Sequence, residues 1–175
     1  MINSESFGVP QKRERVFIIG FRNNLRIKPE IPEPEESIIP LKKVLFSLKS
    51  IDKKYIFSKK AVDGLRRSNP AMNKGRVQDK NDTCATVGAH LAKVSLNSTD
   101  PVLKENGKYR RFTPREVARI QSFPDSFNLI NSEGKQYKAL GNAVPPVVMW
   151  HISKSVIKQL QNKMNQNIIL VKSRK

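Results

Sequence analysis

Arg15-Val16-Phe17-Ile18-Ile19-Gly20-Phe21 is a short unbroken apolar run rich in β-branched and aromatic residues. Such a run suits a strand buried on both faces of a sheet, because a strand with one wet face would alternate apolar with polar residues. A doubly buried strand needs neighbours and covering helices, and the few residues before Arg15 cannot supply them. The expected fold class is therefore α/β, with this strand forming one edge of a sheet completed by other polypeptide. Immediately downstream, Lys28-Pro29-Glu30-Ile31-Pro32-Glu33-Pro34-Glu35-Glu36 carries three closely spaced prolines. They exclude helix and predict an extended linker over residues 28–40.

From Leu41 to about Gly107 the chain is lysine-rich, with short apolar stretches and scattered turn formers but no repeat or low-complexity tract. The pattern sharpens at Phe112-Thr113-Pro114-Arg115-Glu116-Val117. Thr113 suits the N-cap of a helix, Pro114 its first position and Glu116 the third, which closes a capping box, while Phe112 and Val117 suit the hydrophobic staple. That helix should pass through Ile120 and stop near Phe123-Pro124-Asp125, since proline disfavours helical geometry in the residue before it. A final helix is expected from Pro145-Pro146, with Val144, Val148, Ile152, Val156 and Leu160 forming one apolar stripe that must pack on another surface. Beyond Gln161 the chain turns polar, and its end is expected to fray. Ahead of the helix, Gly141 offers a position free of Cβ crowding where the backbone can approach a ligand or another element. These boundaries divide the chain into residues 1–27, the linker 28–40, a mixed small domain over 41–138 and a terminal segment over 139–175.

Thirty-three Lys and Arg against 15 Asp and Glu leave a net charge of +18 on 175 residues, 38% of them hydrophobic. That length supports one ordinary domain, or a small domain with an appendage. The charge points to a polyanionic partner, with nucleic acid ahead of ribosomal, membrane-surface or simply lysine-rich solvated alternatives. A single cysteine, Cys84, excludes an internal disulfide framework and a Cys-rich zinc site and suits a cytosolic protein. The sequence has neither a basic start followed by an apolar core nor an apolar run of bilayer-spanning length, so no secretory signal or membrane helix is expected.

Three segments resemble, in order, motifs VIII, IX and X of the DNA cytosine-5 methyltransferases. They are Phe7-Gly8-Val9-Pro10-Gln11-Lys12-Arg13-Glu14-Arg15, then Arg111-Phe112-Thr113-Pro114-Arg115-Glu116-Val117-Ala118-Arg119-Ile120-Gln121-Ser122-Phe123-Pro124-Asp125, then Ala139-Leu140-Gly141-Asn142-Ala143-Val144-Pro145. The variable region between the first two corresponds to the family's target-recognition domain, so the likeness spans nearly the whole chain. It implies the carboxy-terminal portion of such an enzyme: one edge of the Rossmann-like catalytic sheet, a mixed small recognition domain that includes motif IX over 111–125, and a terminal helix returning to the catalytic domain. It also implies S-adenosyl-L-methionine as cofactor, double-stranded DNA as partner, methyl transfer to C5 of a flipped cytosine, and a cytoplasmic protein associated with the nucleoid through DNA.

Flipping a base out of the duplex costs a few kcal/mol of unstacking, and guanidinium groups can hold both the strained backbone and the base edge. By resemblance, Arg15 donates to the cytosine O2 and Arg13 supports the pocket and the backbone. The alternative is an ordinary basic strand edge paired with Glu14 or elsewhere. Motif IX is mainly architectural in the family, so Arg115 and Arg119 are read as structural before they are read as phosphate contacts. Asn142 and Ala143 would line the S-adenosyl-L-methionine pocket; a plain loop entering a helix is the other reading. Arg76-Val77 followed by Ala85-Thr86-Val87 resembles the family's pairing of Arg-Ile/Val with a later Thr-Leu. That likeness implies Arg76 at a base edge in the major groove, Thr86 against the backbone beside the flipped nucleotide, and Lys74 on the DNA nearby. Phosphate contact alone by Arg76, Lys74 and Lys80 is the competing assignment.

The family reaction needs a cysteine thiolate, within a Pro-Cys segment, to attack C6 so that C5 becomes nucleophilic towards the cofactor methyl group. No Pro-Cys occurs in this sequence, and Cys84 follows Thr83 in the recognition region, whereas the family's nucleophile precedes motif VIII. A small buried residue is the role expected of Cys84. The family's Glu-Asn-Val and its glycine-rich cofactor loop are absent as well, and Glu105-Asn106-Gly107 only echoes the former. The expectation is a two-chain enzyme whose second chain carries motifs I to VII, with the present chain inactive alone. A non-catalytic DNA-binding module, or an inactive remnant or trimmed piece of such an enzyme, are the rival readings.

Overall fold

The computed structural model describes residues 1–35, 37–67, 76–92 and 100–172. They form a mixed α/β arrangement around two apolar cores. In the smaller core, Ile2, Phe7 and Val9 pack against Val148 and Ile152 of the last helix, α4 (Pro146–Lys172), with Phe17, Ile19 and Val147 at its margin. The amino-terminal part of this core is folded by a short ribbon. Strand β1 (Ile2–Asn3) pairs antiparallel with β2 (Glu14–Arg15), placing Ile2 opposite Arg15 and Asn3 opposite Glu14. The Asn3 side chain caps the intervening 3-10 turn over Ser4–Phe7 by accepting from the Glu5 N–H.

Of the strand expected over residues 15–21, to be covered by other polypeptide, this chain pairs only the first residue. Regular pairing stops at Arg15, because β1 offers only two residues to pair with. Beyond it the side chains alternate: Val16 and Ile18 are 74% and 94% exposed, while Phe17 and Ile19 lean on the smaller core. One face of the run is covered and the other is bare. The helical stripe meets a surface at two of its positions, since Val148 and Ile152 are covered by this chain's own amino-terminal residues. Among the described side chains of α4, the large apolar ones left exposed are Met149, Trp150, Ile157 and Met164. The helix continues to Lys172, and the last residues, where fraying is expected, lie outside the described residues. Residues 28–35 have no regular structure, yet they are fastened to α4: the Glu30 N–H donates to Gln159 Oε1 at 2.9 Å, and the Glu30 carbonyl accepts from Gln159 Nε2 at 3.1 Å.

The larger core gathers Leu41, Val87, Leu103, Phe112, Val117, Ile120, Tyr137 and Leu140. Helix α1 (Lys59–Arg67) lies in the lysine-rich region, followed by a hairpin of β3 (Leu103–Glu105) and β4 (Lys108–Arg110). Its two-residue turn is Asn106-Gly107, at φ values of 48° and 77°. Two successive positive φ values are the geometry that matches strand twist, and Asn-Gly is the dipeptide that tolerates it. Glu105-Asn106-Gly107 is therefore hairpin chemistry.

Helix α2 (Pro114–Ile120) starts with the full capping box expected of Thr113 and Glu116. Glu116 is fully buried and does more than cap. Its Oε2 accepts from the Thr113 N–H at 2.8 Å and from Arg110 Nη1 at 2.9 Å, while its Oε1 accepts from Arg110 Nη2 at 2.9 Å and from the Phe46 N–H at 3.0 Å. Arg110, equally buried, turns its Nε to Glu105 at 2.6 Å. One carboxylate thus joins the hairpin, the start of α2 and the chain at Phe46. Helix α3 (Glu133–Asn142) packs beside α2, and the Tyr137 hydroxyl donates to the Phe112 carbonyl. No helix among the described residues is long and apolar enough to cross a membrane.

Replacing Glu116 leaves a buried guanidinium short of its counter-charge, which is among the costlier single changes available to a protein. Glu116→Gln should lower unfolding free energy by about 3 kcal/mol in urea titrations. Asp125→Ala, which removes the exposed partner of Arg119, should change it by less than about 1 kcal/mol.

Candidate functional site

Between the two cores runs a buried polar seam, where residues 10–13 lie alongside residues 84–87. The Cys84 N–H donates to the Pro10 carbonyl at 3.0 Å, the Lys12 N–H to the Cys84 carbonyl at 2.7 Å, and Thr86 Oγ1 to the Lys12 carbonyl at 2.7 Å. Gln11 is fully buried: its Oε1 accepts from the Val87 N–H at 2.8 Å and its Nε2 donates to Gln121 Oε1 at 3.0 Å. Gln121 passes the chain of bonds on, donating to the Leu140 carbonyl at 2.7 Å. Arg13 is 3% exposed and sends Nη1 to the Val87 carbonyl at 3.2 Å and Nη2 to the Gly141 carbonyl at 3.0 Å. Arg13 Nε excepted, these buried side-chain polar groups are paired, and a paired network holds its members in one arrangement.

Gly141 closes the seam sterically. A Cβ at this position would stand 2.3 Å from the carbonyl carbon and oxygen of Gly88 and 2.4 Å from the nitrogen of Ala89. The end of α3 thus rests directly on the backbone of the loop that follows Val87, which is the close approach expected of this glycine.

The structure brings Arg13, Thr86, Asn142 and Ala143 to this one seam. Arg13 is enclosed, and burial, followed by the charge of Arg15, lowers its pKa. Arg15 is exposed and donates to its own neighbour's backbone, the Glu14 carbonyl, at 2.6 Å. Thr86 is exposed at the outer end of the loop. Asn142, the last residue of α3, is exposed, and Ala143, extended and half-buried, caps it. Arg76 stands apart: it is 3% exposed and donates Nε to the Asp100 carbonyl at 2.9 Å, so its guanidinium is enclosed here rather than displayed. Lys74 lies outside the described residues. Lys80 pairs with Glu105 at 3.1 Å, and Arg119 forks onto Asp125 and stacks on the Phe46 ring. Cys84 is completely buried in the larger core, and burial pushes its thiol well above the usual range, so it stays protonated and packs as a small apolar residue.

The pairing of Gln11 with Gln121 was not legible in the sequence, since the two residues are 110 positions apart and neither sits in a pattern that marks burial. The resemblance to motif VIII singles out Gln11 without giving it a partner. The exposed Asn142 carboxamide at the end of α3 can both donate to a carboxylate and accept from an amino group.

Gly141→Ala should destabilise the chain by about 1–3 kcal/mol or more, because the neighbour that must yield is backbone. Gly134→Ala, in the same helix with nothing within 4 Å of the added Cβ, should instead be neutral or stabilise by about 0.5–1 kcal/mol. Thermal unfolding of the two variants compares them directly.

The model of the family described as C-5 cytosine-specific DNA methylase matches residues 1–158. Similar curated proteins include Type II methyltransferase M.AplI of Arthrospira platensis, 33% identical over 93% of this chain and 48% of that protein. Type II methyltransferase M.NgoPII of Neisseria gonorrhoeae is 32% identical over 92% of this chain and 55% of its own length. The chain spans about half the length of these relatives. Among solved structures, a methyltransferase of Entamoeba histolytica superposes with a TM-score of 0.64 at 19% identity, over 91% of this chain and 52% of that one. The Dnmt2 methyltransferase of S. pombe also gives 0.64, at 14% identity, over 91% and 56%. At such identities the structural likeness speaks for the fold alone. With the segments around Arg13, Glu116 and Gly141 all inside the matched residues, the chain belongs to the C-5 cytosine-specific DNA methylase family.

Proposed function

We propose that this chain is the DNA-recognition portion of a site-specific DNA cytosine-5 methyltransferase, working with a second chain that carries the nucleophilic cysteine. The observation that carries this reading is the seam: residues 10–13, the loop after Cys84 and the end of α3 meet through Gln11 and Arg13. A recognition element and an edge of the cofactor pocket are thereby held beside one strand end. In this reading residues 1–27 and 139–175 belong with the catalytic domain, residues 41–138 form the recognition domain, and residues 28–40 connect them. The run over residues 16–21 is paired in no sheet among the described residues and its Val16 and Ile18 face is bare, which suits its addition to a sheet of the catalytic portion.

Each residue then has a task. Arg15, exposed at the end of β2, donates to the flipped cytosine, and Thr86 meets the DNA backbone at the outer end of the seam. Arg76 and Lys74 serve recognition of the duplex, Arg76 by leaving its contact with Asp100 or by shaping the segment that carries it. Asn142 and Ala143 hold one side of S-adenosyl-L-methionine, which when bound supplies the electrophilic methyl group. The net charge of +18 draws the chain to the polyanion and makes binding salt-dependent. Such a protein works in the cytoplasm, on the nucleoid, where its DNA substrate lies.

The chain by itself should transfer no methyl group to DNA. Mixed with a polypeptide carrying the Pro-Cys and Glu-Asn-Val segments, it should methylate cytosine within one short sequence, read by bisulfite sequencing. Methylation by the isolated chain would refute the two-part reading. Salt-dependent, sequence-indifferent binding without methylation in any mixture would establish the non-catalytic module instead. In the active mixture, Arg15→Ala should cut turnover by about a hundredfold or more while leaving DNA affinity within a few-fold, whereas Arg76→Ala should chiefly relax sequence preference.

A further inference from the structure

We infer that Arg13 is the positioning residue that couples the loop over residues 84–89 to the end of α3 at Asn142 and Ala143. What the two ends bind rests on the functional reading above; the coupling itself rests on geometry alone. One guanidinium holds two carbonyls that are far apart in the chain, Val87 at 3.2 Å and Gly141 at 3.0 Å. The two backbones it bridges are already in contact, because Gly141 leaves no room for even a methyl group against Gly88 and Ala89. The same loop is held at its other polar atom, the Val87 N–H, by Gln11, whose amide continues through Gln121 to the Leu140 carbonyl. Gly141 is thus gripped directly, and Leu140 by way of Gln121, from one short segment that also grips Val87.

A displacement of the loop by an ångström must therefore break a buried charge-assisted hydrogen bond or carry the end of α3 with it. Breaking such a bond in the interior leaves its donor unsatisfied, which is costly, so joint movement is favoured. The outer ends of the coupled unit are the parts a ligand can reach: Thr86 and Asn142 are both exposed. Contact at Thr86 is consequently felt at Asn142 through Arg13. Lysine cannot substitute, because a single ammonium lacks the planar fork that meets two divergent carbonyls. Arg13→Lys keeps the charge and much of the bulk while removing the bridge.

Hydrogen–deuterium exchange of the full chain, free and with a short mixed-sequence duplex DNA at low salt, tests this. In the free chain, Arg13→Lys should speed exchange over residues 84–89 and 140–143 together, by about tenfold, with residues 114–120 unchanged. With DNA, the unsubstituted chain should become protected at both segments and Arg13→Lys at residues 84–89 only. That remote protection at 140–143 is a response that a residue serving stability alone would not control. Protection of both segments in Arg13→Lys overturns the coupling, as does loosening of only one segment in the free variant. If DNA leaves both segments of the unsubstituted chain unchanged, the functional reading fails, and the free-chain comparison still decides the coupling. Should Arg13→Lys also loosen residues 114–120, Thr86→Val decides: it removes the exposed bond to Lys12 and should loosen both segments, and loosening of the loop alone overturns the inference.

Discussion

Two apolar cores that share a chain must be joined by something, and here the joint is polar. Gln11 and Arg13 lie between the cluster around Val9 and Ile152 and the cluster around Phe112 and Leu140, both side chains buried and both spent on atoms of other segments. An apolar joint would let the halves slide over each other at little cost. A joint of paired amides and a forked guanidinium allows one register, because any other leaves donors and carbonyls stranded away from water. Gly141 enforces the same register sterically, with its backbone resting on that of Gly88 and Ala89. The exposed side chains proposed to meet DNA and cofactor, Thr86 and Asn142, stand where they do because of this joint.

The larger core has its own polar anchor. Glu116 is set by the local logic of a helix start, yet the same carboxylate neutralises Arg110 at the end of the hairpin and receives the Phe46 N–H. A surface capping box would contribute modestly; a buried one that also pairs a charge becomes a condition of the fold. The exposed fork of Arg119 on Asp125 has comparable geometry and far less consequence, because water screens it. Similar ion pairs thus differ in weight through burial alone.

Charge is distributed to match. Several cations are committed internally: Arg110 to two carboxylates, Arg13 to two carbonyls and Arg76 to the Asp100 carbonyl. Arg15 remains at the surface with only a backbone contact beside it. The arginines of one motif therefore divide their work, the buried one fixing geometry and the exposed one left available, although Gln11-Lys12-Arg13-Glu14-Arg15 gives no sign of that division in its composition.

What the sequence determined by itself was whatever depends on neighbours along the chain. The capping box at Thr113 and Glu116, the start of the last helix at Pro146 and the need for glycine at position 141 follow from local geometry, and all are present. The Asn106-Gly107 turn was legible on the same terms, though its glutamate suggested a different comparison. What only the tertiary structure decided was which faces are covered and which polar groups find each other. The run over Arg15–Phe21 reads as doubly buried from its composition, but burial is a property of what lies opposite, and here only Phe17 and Ile19 have a surface to meet. The stripe on α4 calls for a surface without naming it, and the fold supplies Ile2 and Phe7 against Val148 and Ile152. The bond between Gln11 and Gln121, and the reach of Arg13 from Val87 to Gly141, join residues that no periodicity relates, because a hydrogen bond depends on proximity in space and leaves no pattern along the chain.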